Sequence, residues 1–128
     1  MVVTYYQNET DYETGSGPIV SFFNSLKKER PPKLWSLVRE MISKIQNKSD
    51  LRCFEETGII SRLQKTIVPL YEIKIPKTNK NGVVRLYFAY KKGDKSTIFI
   101  LSAEKKKRKE SNKNIIRQAE KRYKEVCL

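Results

Sequence analysis

The spacing of apolar residues changes period once along the chain, from helical to two-fold, near Pro69. Before that point, Ile19, Phe22, Phe23 and Leu26 recur at helical spacing. Ser16 or Gly17 stands as cap and Pro18 at the first turn, where proline's missing N–H costs nothing. Pro31 and Pro32 end this helix and open a second. Its apolar stripe is Leu34, Val38, Met41, Ile42 and Ile45, flanked by Trp35, and reads as core packing. The opening stretch Met1 to Tyr6, MVVTYY, is β-branched and aromatic and reads as a strand. Between Asp50 and Pro69 the pattern is weak, with Ile59, Ile60 and Leu63 suggesting a short helical turn.

After Pro69 alternation takes over. LYEIKI places Tyr71, Ile73 and Ile75 on one face and Glu72 and Lys74 on the other. VVRLYFAY places Val84, Leu86, Phe88 and Tyr90 on one face and Arg85 and Tyr87 opposite. KKGD makes a tight turn, with Gly93 free to take positive φ. KSTIFILSA is apolar on both faces, as a central strand is. NKNIIRQAEKRYKEV closes the chain as a helix. Ile115, Ala119, Tyr123 and Val126 form its apolar side, and Arg117, Lys121 and Lys124 its basic side. The order is strand, two helices, three antiparallel strands, helix. That is an α+β fold: a small antiparallel sheet, two N-terminal helices on one face, and a C-terminal helix. If the first two helices cover the face of Val84, Leu86 and Phe88, the opposite face is left free. It then presents Arg85, Lys74 and Tyr87 to solvent.

Length adds one constraint. The 128 residues suit one domain with a real core, in which residues 1–15 are an acidic N-terminal strand and extension. Charge changes the picture more. The net charge is +13, and it is unevenly placed. Residues 1–15 carry Glu9, Asp11 and Glu13 and no lysine or arginine, whereas residues 102–128 carry ten basic and four acidic side chains. Such a basic end favours a polyanion, either nucleic acid or an acidic protein. A further expectation is that the acidic Glu9 to Glu13 stretch folds back near the basic surface. Apolar runs are too short to cross a membrane, and the polar, acidic start does not read as a secretory signal, which together point to a cytoplasmic protein. Cys53 and Cys127 lack metal spacing and read as reduced thiols. The chain has no histidine. A Cys/His zinc site and a Ser-His or Cys-His catalytic pair are thereby excluded, and nothing calls for a cofactor.

The strongest chemical signal is the unbroken run Lys105, Lys106, Lys107, Arg108, Lys109, which begins where the last strand ends. With Arg85 and Lys74 it makes three sequence-distant basic elements that an exposed sheet face would bring together. An arginine there suits a phosphorane, because its guanidinium stays charged and grips two phosphate oxygens in one plane. A lysine does not make a ready base, since at its ordinary pKa of ~10.4 only about one in 2,500 is neutral at pH 7. The cluster therefore reads as an electrostatic stabiliser and proton donor, with the base unassigned. Tyr87 is placed to stack a base or to pad the sheet.

Four stretches, in order, resemble the RelE/ParE toxin superfamily, and most closely its HigB-like, phage-derived branch. They are GPIVSFFNSLKK, PLYEIKI, VVRLYFAY and FILSAEKKKRKESNKNIIRQAEKRYKE, spanning Gly17 to Glu125. The resemblance implies the toxin of a type II toxin–antitoxin pair that cuts messenger RNA on the ribosome without a metal. Its partners would be a cognate antitoxin, the ribosome and mRNA, with no membrane and no small-molecule cofactor. Carried over by position, the catalytic residues are Arg85, Lys74, Lys105, Lys106 and Lys107, and RNA contacts fall on Arg108, Lys109 and Tyr87. The aromatic often found in the family's loop is Glu104 here, and the histidine or loop tyrosine that some members use is absent. The competing readings are a same-fold, non-enzymatic toxin that inhibits DNA gyrase, a basic nucleic-acid-binding module without catalysis, and a phage-borne relic without toxicity.

Overall fold

The computed structural model describes residues 1–77, 82–106 and 112–127. Lys107, Arg108 and Lys109 lie outside the described residues. The element order is β1 (Val2–Tyr5), α1 (Glu9–Thr14), α2 (Pro18–Lys27), α3 (Lys33–Gln46), α4 (Arg52–Glu56), β2 (Ile60–Arg62), β3 (Tyr71–Ile75), β4 (Val83–Lys91), β5 (Asp94–Lys106) and α5 (Lys113–Val126). The strands form one sheet in the order β1-β5-β4-β3-β2. β2 to β5 are antiparallel, and β1 returns parallel to β5 with Tyr5 opposite Ile100. The α+β fold and the strand meander after Pro69 stand as the alternation indicates.

Three local readings change. Ile59 to Leu63 does not form a helical turn: Ile60–Arg62 is the edge strand β2, paired with Tyr71–Ile73. The acidic stretch is not a strand or plain extension but the helix α1. Asn8 caps it, its side chain accepting from Asp11 N at 2.7 Å while Asn8 N donates to the Asp11 carboxylate at 3.1 Å. Arg52–Glu56 forms α4, which has too few turns to show a periodicity.

Glycine matters at two joints. Gly17 opens α2 at φ 145°, and a Cβ there would meet Tyr6 O at 3.1 Å. Gly93 turns β4 into β5 at φ 76°. Further along this hairpin the register slips. Tyr87 pairs with Ser102 but Phe88 pairs with Ile100, so Leu101 is an extra residue on β5. The bulge resets which β5 residues share a face. Ile98 and Ile100 stay with Phe88 and Tyr90, while Ser102, Glu104 and Lys106 join Tyr87 and Arg85.

The face carrying Ile73, Ile75, Val84, Leu86 and Phe88 is covered by α2 and α3, as the two apolar stripes require. Tyr5 packs edge-on against Phe23 of α2 at 5.4 Å, and Phe23 against Trp35 of α3 at the same separation. The opposite face is not free. α5 lies on it, bringing Ala119 to complete burial, while Ser102 Oγ donates to Ile115 O at 3.0 Å and Arg122 Nη1 donates to Leu101 O at 2.8 Å. The last helix is amphipathic and must bury its apolar side somewhere, and the second sheet face is the surface left to take it. Its basic side, Arg117, Lys121 and Lys124, stays exposed.

Cys127 is buried at the end of α5, and burial pushes its thiol pKa up to about 11, whereas Cys53 on α4 is exposed. Iodoacetamide at mildly alkaline pH is expected to alkylate Cys53 and spare Cys127 until denaturant is added. Intact-mass spectrometry reads this directly, and equal native labelling of both thiols would contradict the packing of α5.

Candidate nucleic-acid interface

The strand registers set a short grid of polar side chains on the α5 side of the sheet. Lys74, Arg85 and Glu104 stand side by side across β3, β4 and β5, and Glu72, Tyr87 and Ser102 form the next row. Lys106 follows Glu104 on the same face two residues on. Sheet parity alone thus gathers cations from positions 74, 85 and 106.

Two carboxylates that the charge pattern did not single out bind this grid together. Glu72 Oε1 is 3.7 Å from Lys74 Nζ, and its Oε2 is 3.6 Å from Arg85 Nη1. Glu104 Oε1 is 3.4 Å from Lys106 Nζ, and Tyr87 Oη donates to Oε2 at 3.0 Å. Both were within reach of sequence reasoning. Glu72 shares parity with Lys74, and Glu104 opens the basic run. What was lacking was the cross-strand register that makes each a neighbour of a cation.

Burial sorts the members of the grid. The side chains of Arg85 and Glu72 are 6% and 5% exposed, and Tyr87 is fully buried. Lys74 and Lys106 retain 35% and 20% of their side-chain surface. The expectation that Arg85 faces open solvent is therefore corrected, since Arg85 is an interior cation, and of the two readings of Tyr87 the structure agrees with padding the sheet, its hydroxyl donating to Glu104. A buried charge needs a partner in contact, and Glu72 is that partner. The surface that a phosphate can reach is supplied by the two lysines. The contacts of Lys106 to Glu104 at 3.4 Å and of Lys74 to Glu72 at 3.7 Å are longer than tight hydrogen bonds, and a phosphate oxygen can compete with those two carboxylates for the ammonium groups.

Lys105 does not join them. It pairs with Val84 on the other face, and its ammonium donates to Glu29 Oε2 at 2.7 Å, just beyond α2. Alternation along β5 forces this: adjacent lysines in a strand point to opposite sides. The run read as one cluster is split by the sheet at Lys105 and Lys106.

The acidic N-terminal stretch settles elsewhere as well. Asp11 of α1 lines a cleft of about 390 Å³ with Lys121, Arg122 and Glu125 of α5, so it approaches the basic side of that helix. At the cleft wall Tyr6 donates to Glu125, and the Arg122 guanidinium lies 4.8 Å over the Tyr6 ring. The Glu125 carboxylate, then burial, raise the Tyr6 hydroxyl pKa above its ordinary value. Among the described residues no group of three or more His, Cys, Asp or Glu is placed to hold a metal ion, and no helix is long and apolar enough to cross a membrane. Comparison with known proteins adds no relative: no family model, no curated protein and no solved structure matches the chain.

Proposed function

We propose that the protein is a toxin of the RelE/ParE superfamily, in its HigB-like branch, acting in the cytoplasm as a metal-independent, ribosome-dependent mRNA endoribonuclease held in check by an antitoxin. The observation that carries this reading is the grid itself. Lys74, Arg85 and Lys106 share one sheet face, at the end of the strand that leads into the basic run. In the reaction the 2′-oxygen bonds to phosphorus, the bond from phosphorus to the 5′-oxygen breaks, the 2′-OH gives up a proton and the 5′-oxygen takes one. Lys74 and Lys106 neutralise the developing charge and can donate a proton. Arg85 acts as a positioning residue, holding Glu72 and through it Lys74. Glu72 and Glu104 are buried and paired with the grid's cations and with Tyr87, so they hold the site in place and the group that takes the 2′-OH proton stays unassigned. Alignment of the message by the ribosome supplies much of the rate.

The burial of Arg85 against Glu72 favours a second reading, in which the same surface binds an anionic partner without cutting it. Induction in a bacterial host, followed by mapping of mRNA 5′ ends, separates the two. New cuts in translated messages, lost in a Lys74→Ala/Lys106→Ala double variant, are expected. Growth arrest with intact messages would give the protein to the non-enzymatic reading, DNA gyrase among its targets.

A further inference from the structure

The outer side of α5 carries four exposed cations, Lys113, Arg117, Lys121 and Lys124. The helical repeat sets them within about 80° of arc, in a stripe about 16 Å long. The two carboxylates of the helix, Glu120 and Glu125, flank this stripe, and both are drawn into the body of the protein. Glu120 accepts from Ile67 N at 2.9 Å, and Glu125 accepts from the Tyr6 hydroxyl. Among the described residues no carboxylate makes an ion pair with any of the four cations. The arrangement works against the helix. Lys113 with Arg117, Arg117 with Lys121, and Lys121 with Lys124 are like charges at i,i+4 or i,i+3. Lys113 also stands in the first turn, where the helix dipole favours an anion. A face that only had to stay in water would be served as well by alternating signs, which support a helix instead.

We propose that this stripe binds the phosphate backbone of an RNA strand, as a second contact that continues from the grid. α5 lies on the grid's side of the sheet, and Ser102 Oγ donates to Ile115 O at 3.0 Å. The stripe therefore starts beside the row of Glu72, Tyr87 and Ser102. At a spacing of ~3.4 Å per phosphate along one strand, about five phosphates span it. The chemistry of the stripe selects that ligand. Phosphates are held by charge and by the counterions they release, and need no apolar surface, whereas a protein partner gains from an apolar centre. α5 spends its own apolar side on the sheet, with Ala119 fully buried. Such contacts position a strand and read no bases, so the stripe holds any sequence. The proposal rests on the function proposed above for the identity of the polyanion as RNA, and not on its cleavage.

The probe is a fluorescein-labelled oligouridylate of about twelve nucleotides, long enough to cover the stripe, with its 2′-hydroxyls methylated so that it cannot be cut. It is titrated with the full-length protein across a salt series and followed by anisotropy. Arg117→Gln/Lys121→Gln/Lys124→Gln, which keeps good helix formers in place, is expected to weaken binding about thirtyfold at moderate salt. It should also lower the magnitude of the log K against log salt slope by about 2, or ~0.7 for each of three phosphates. The urea midpoint of this variant should not fall, because the substitutions relieve repulsion within the helix. Lys91→Gln/Lys92→Gln/Lys95→Gln removes the same charge from the exposed β4–β5 turn, at the end of β5 away from Lys106, and should move the slope by less than about 0.5. An unchanged slope in the first triple variant would overturn the proposal in favour of a merely solvated face, and equal falls in both would overturn it in favour of undirected charge attraction. Polyglutamate that displaces the oligouridylate at equal charge, and is itself released by Ile67→Ser at the exposed apolar residue beside Glu120, would overturn it in favour of an acidic protein. The fall in slope should recur in the Lys74→Ala/Lys106→Ala protein, so a grid that meets no phosphate and a stripe that meets none are separate results.

Discussion

Arg85→Ala is expected to cost about 3 to 5 kcal/mol of folding stability, the range for breaking a buried ion pair by removing one partner. The penalty comes less from the lost attraction than from what is left behind. Glu72 is left at 5% side-chain exposure, short of the guanidinium 3.6 Å from its Oε2. Lys74, 3.7 Å away and 35% exposed, is too well hydrated to replace it. Urea titration should therefore show a large fall in midpoint with an unchanged slope, the sign of altered stability rather than altered compactness. Replacing both partners with apolar residues, Arg85→Met with Glu72→Leu, should recover most of the loss, because neither charge is then stranded. A double-mutant cycle over the four proteins isolates the pair. If Arg85→Ala costs under about 1 kcal/mol, as exposed pairs do, the guanidinium reaches water and the open-face reading of β4 is restored. The result bears on function too. A toxin that loses its effect with Arg85→Ala has not been shown to use Arg85 in chemistry, because a cell also loses activity when less of the protein is folded.

Which parts of this arrangement were legible in the sequence follows from the range of the interactions involved. Pro18, the proline pair and the stripes of α2 and α3 are local signals, and so is the alternation in β3 and β4; each determines its element without reference to the rest of the chain. Parity went further, placing Lys74, Arg85 and Tyr87 on one face, where the registers put them. It could not say what covers that face, because the docking of α5 rests on contacts such as Ser102 to Ile115 and Tyr6 to Glu125, the latter 119 residues apart. The same limit hid the split of the basic run. Lys105 and Lys106 are neighbours in sequence, and only the strand assignment as far as Lys106 sends one to Glu29 and the other to Glu104. β2 was missed for a different reason: three residues are too few to display a period, and the strand exists because β3 offers an edge. Charge counting also misleads when sign is ignored. The grid holds two carboxylates among its three cations, and these decide which cations remain available to a ligand.

The Lys74→Ala/Lys106→Ala double variant is expected to bind single-stranded RNA about tenfold more weakly at moderate salt, and to lower the magnitude of the log K against log salt slope by about 1.4. Each phosphate neutralised on a single strand releases counterions worth ~0.7 in that slope, and the two lysines are taken to meet one phosphate each. The effect should appear for any base composition, because ammonium groups on phosphates carry no sequence information. Lys105→Ala is the informative control. It removes one positive charge, half that of the double variant, one residue from Lys106, yet its ammonium is held at 2.7 Å by Glu29 on the opposite face, so the slope should stay within about 0.3 of the parent rather than fall by ~0.7. Arg85 differs in kind: the Arg85→Met/Glu72→Leu background removes no net charge but takes away the carboxylate that holds Lys74, so a positioning role predicts a fall of no more than ~0.7, the share of one lysine. An equal drop for Lys105→Ala would mean that RNA wraps the sheet edge and touches both faces. A drop well beyond ~0.7 in the Arg85→Met/Glu72→Leu background would mean that the buried guanidinium is uncovered when RNA binds, which would make Arg85 a phosphate ligand instead of a positioning residue. The slope thus separates what charge counting merges: cations that lie near one another in the sequence, and cations that meet the same ligand.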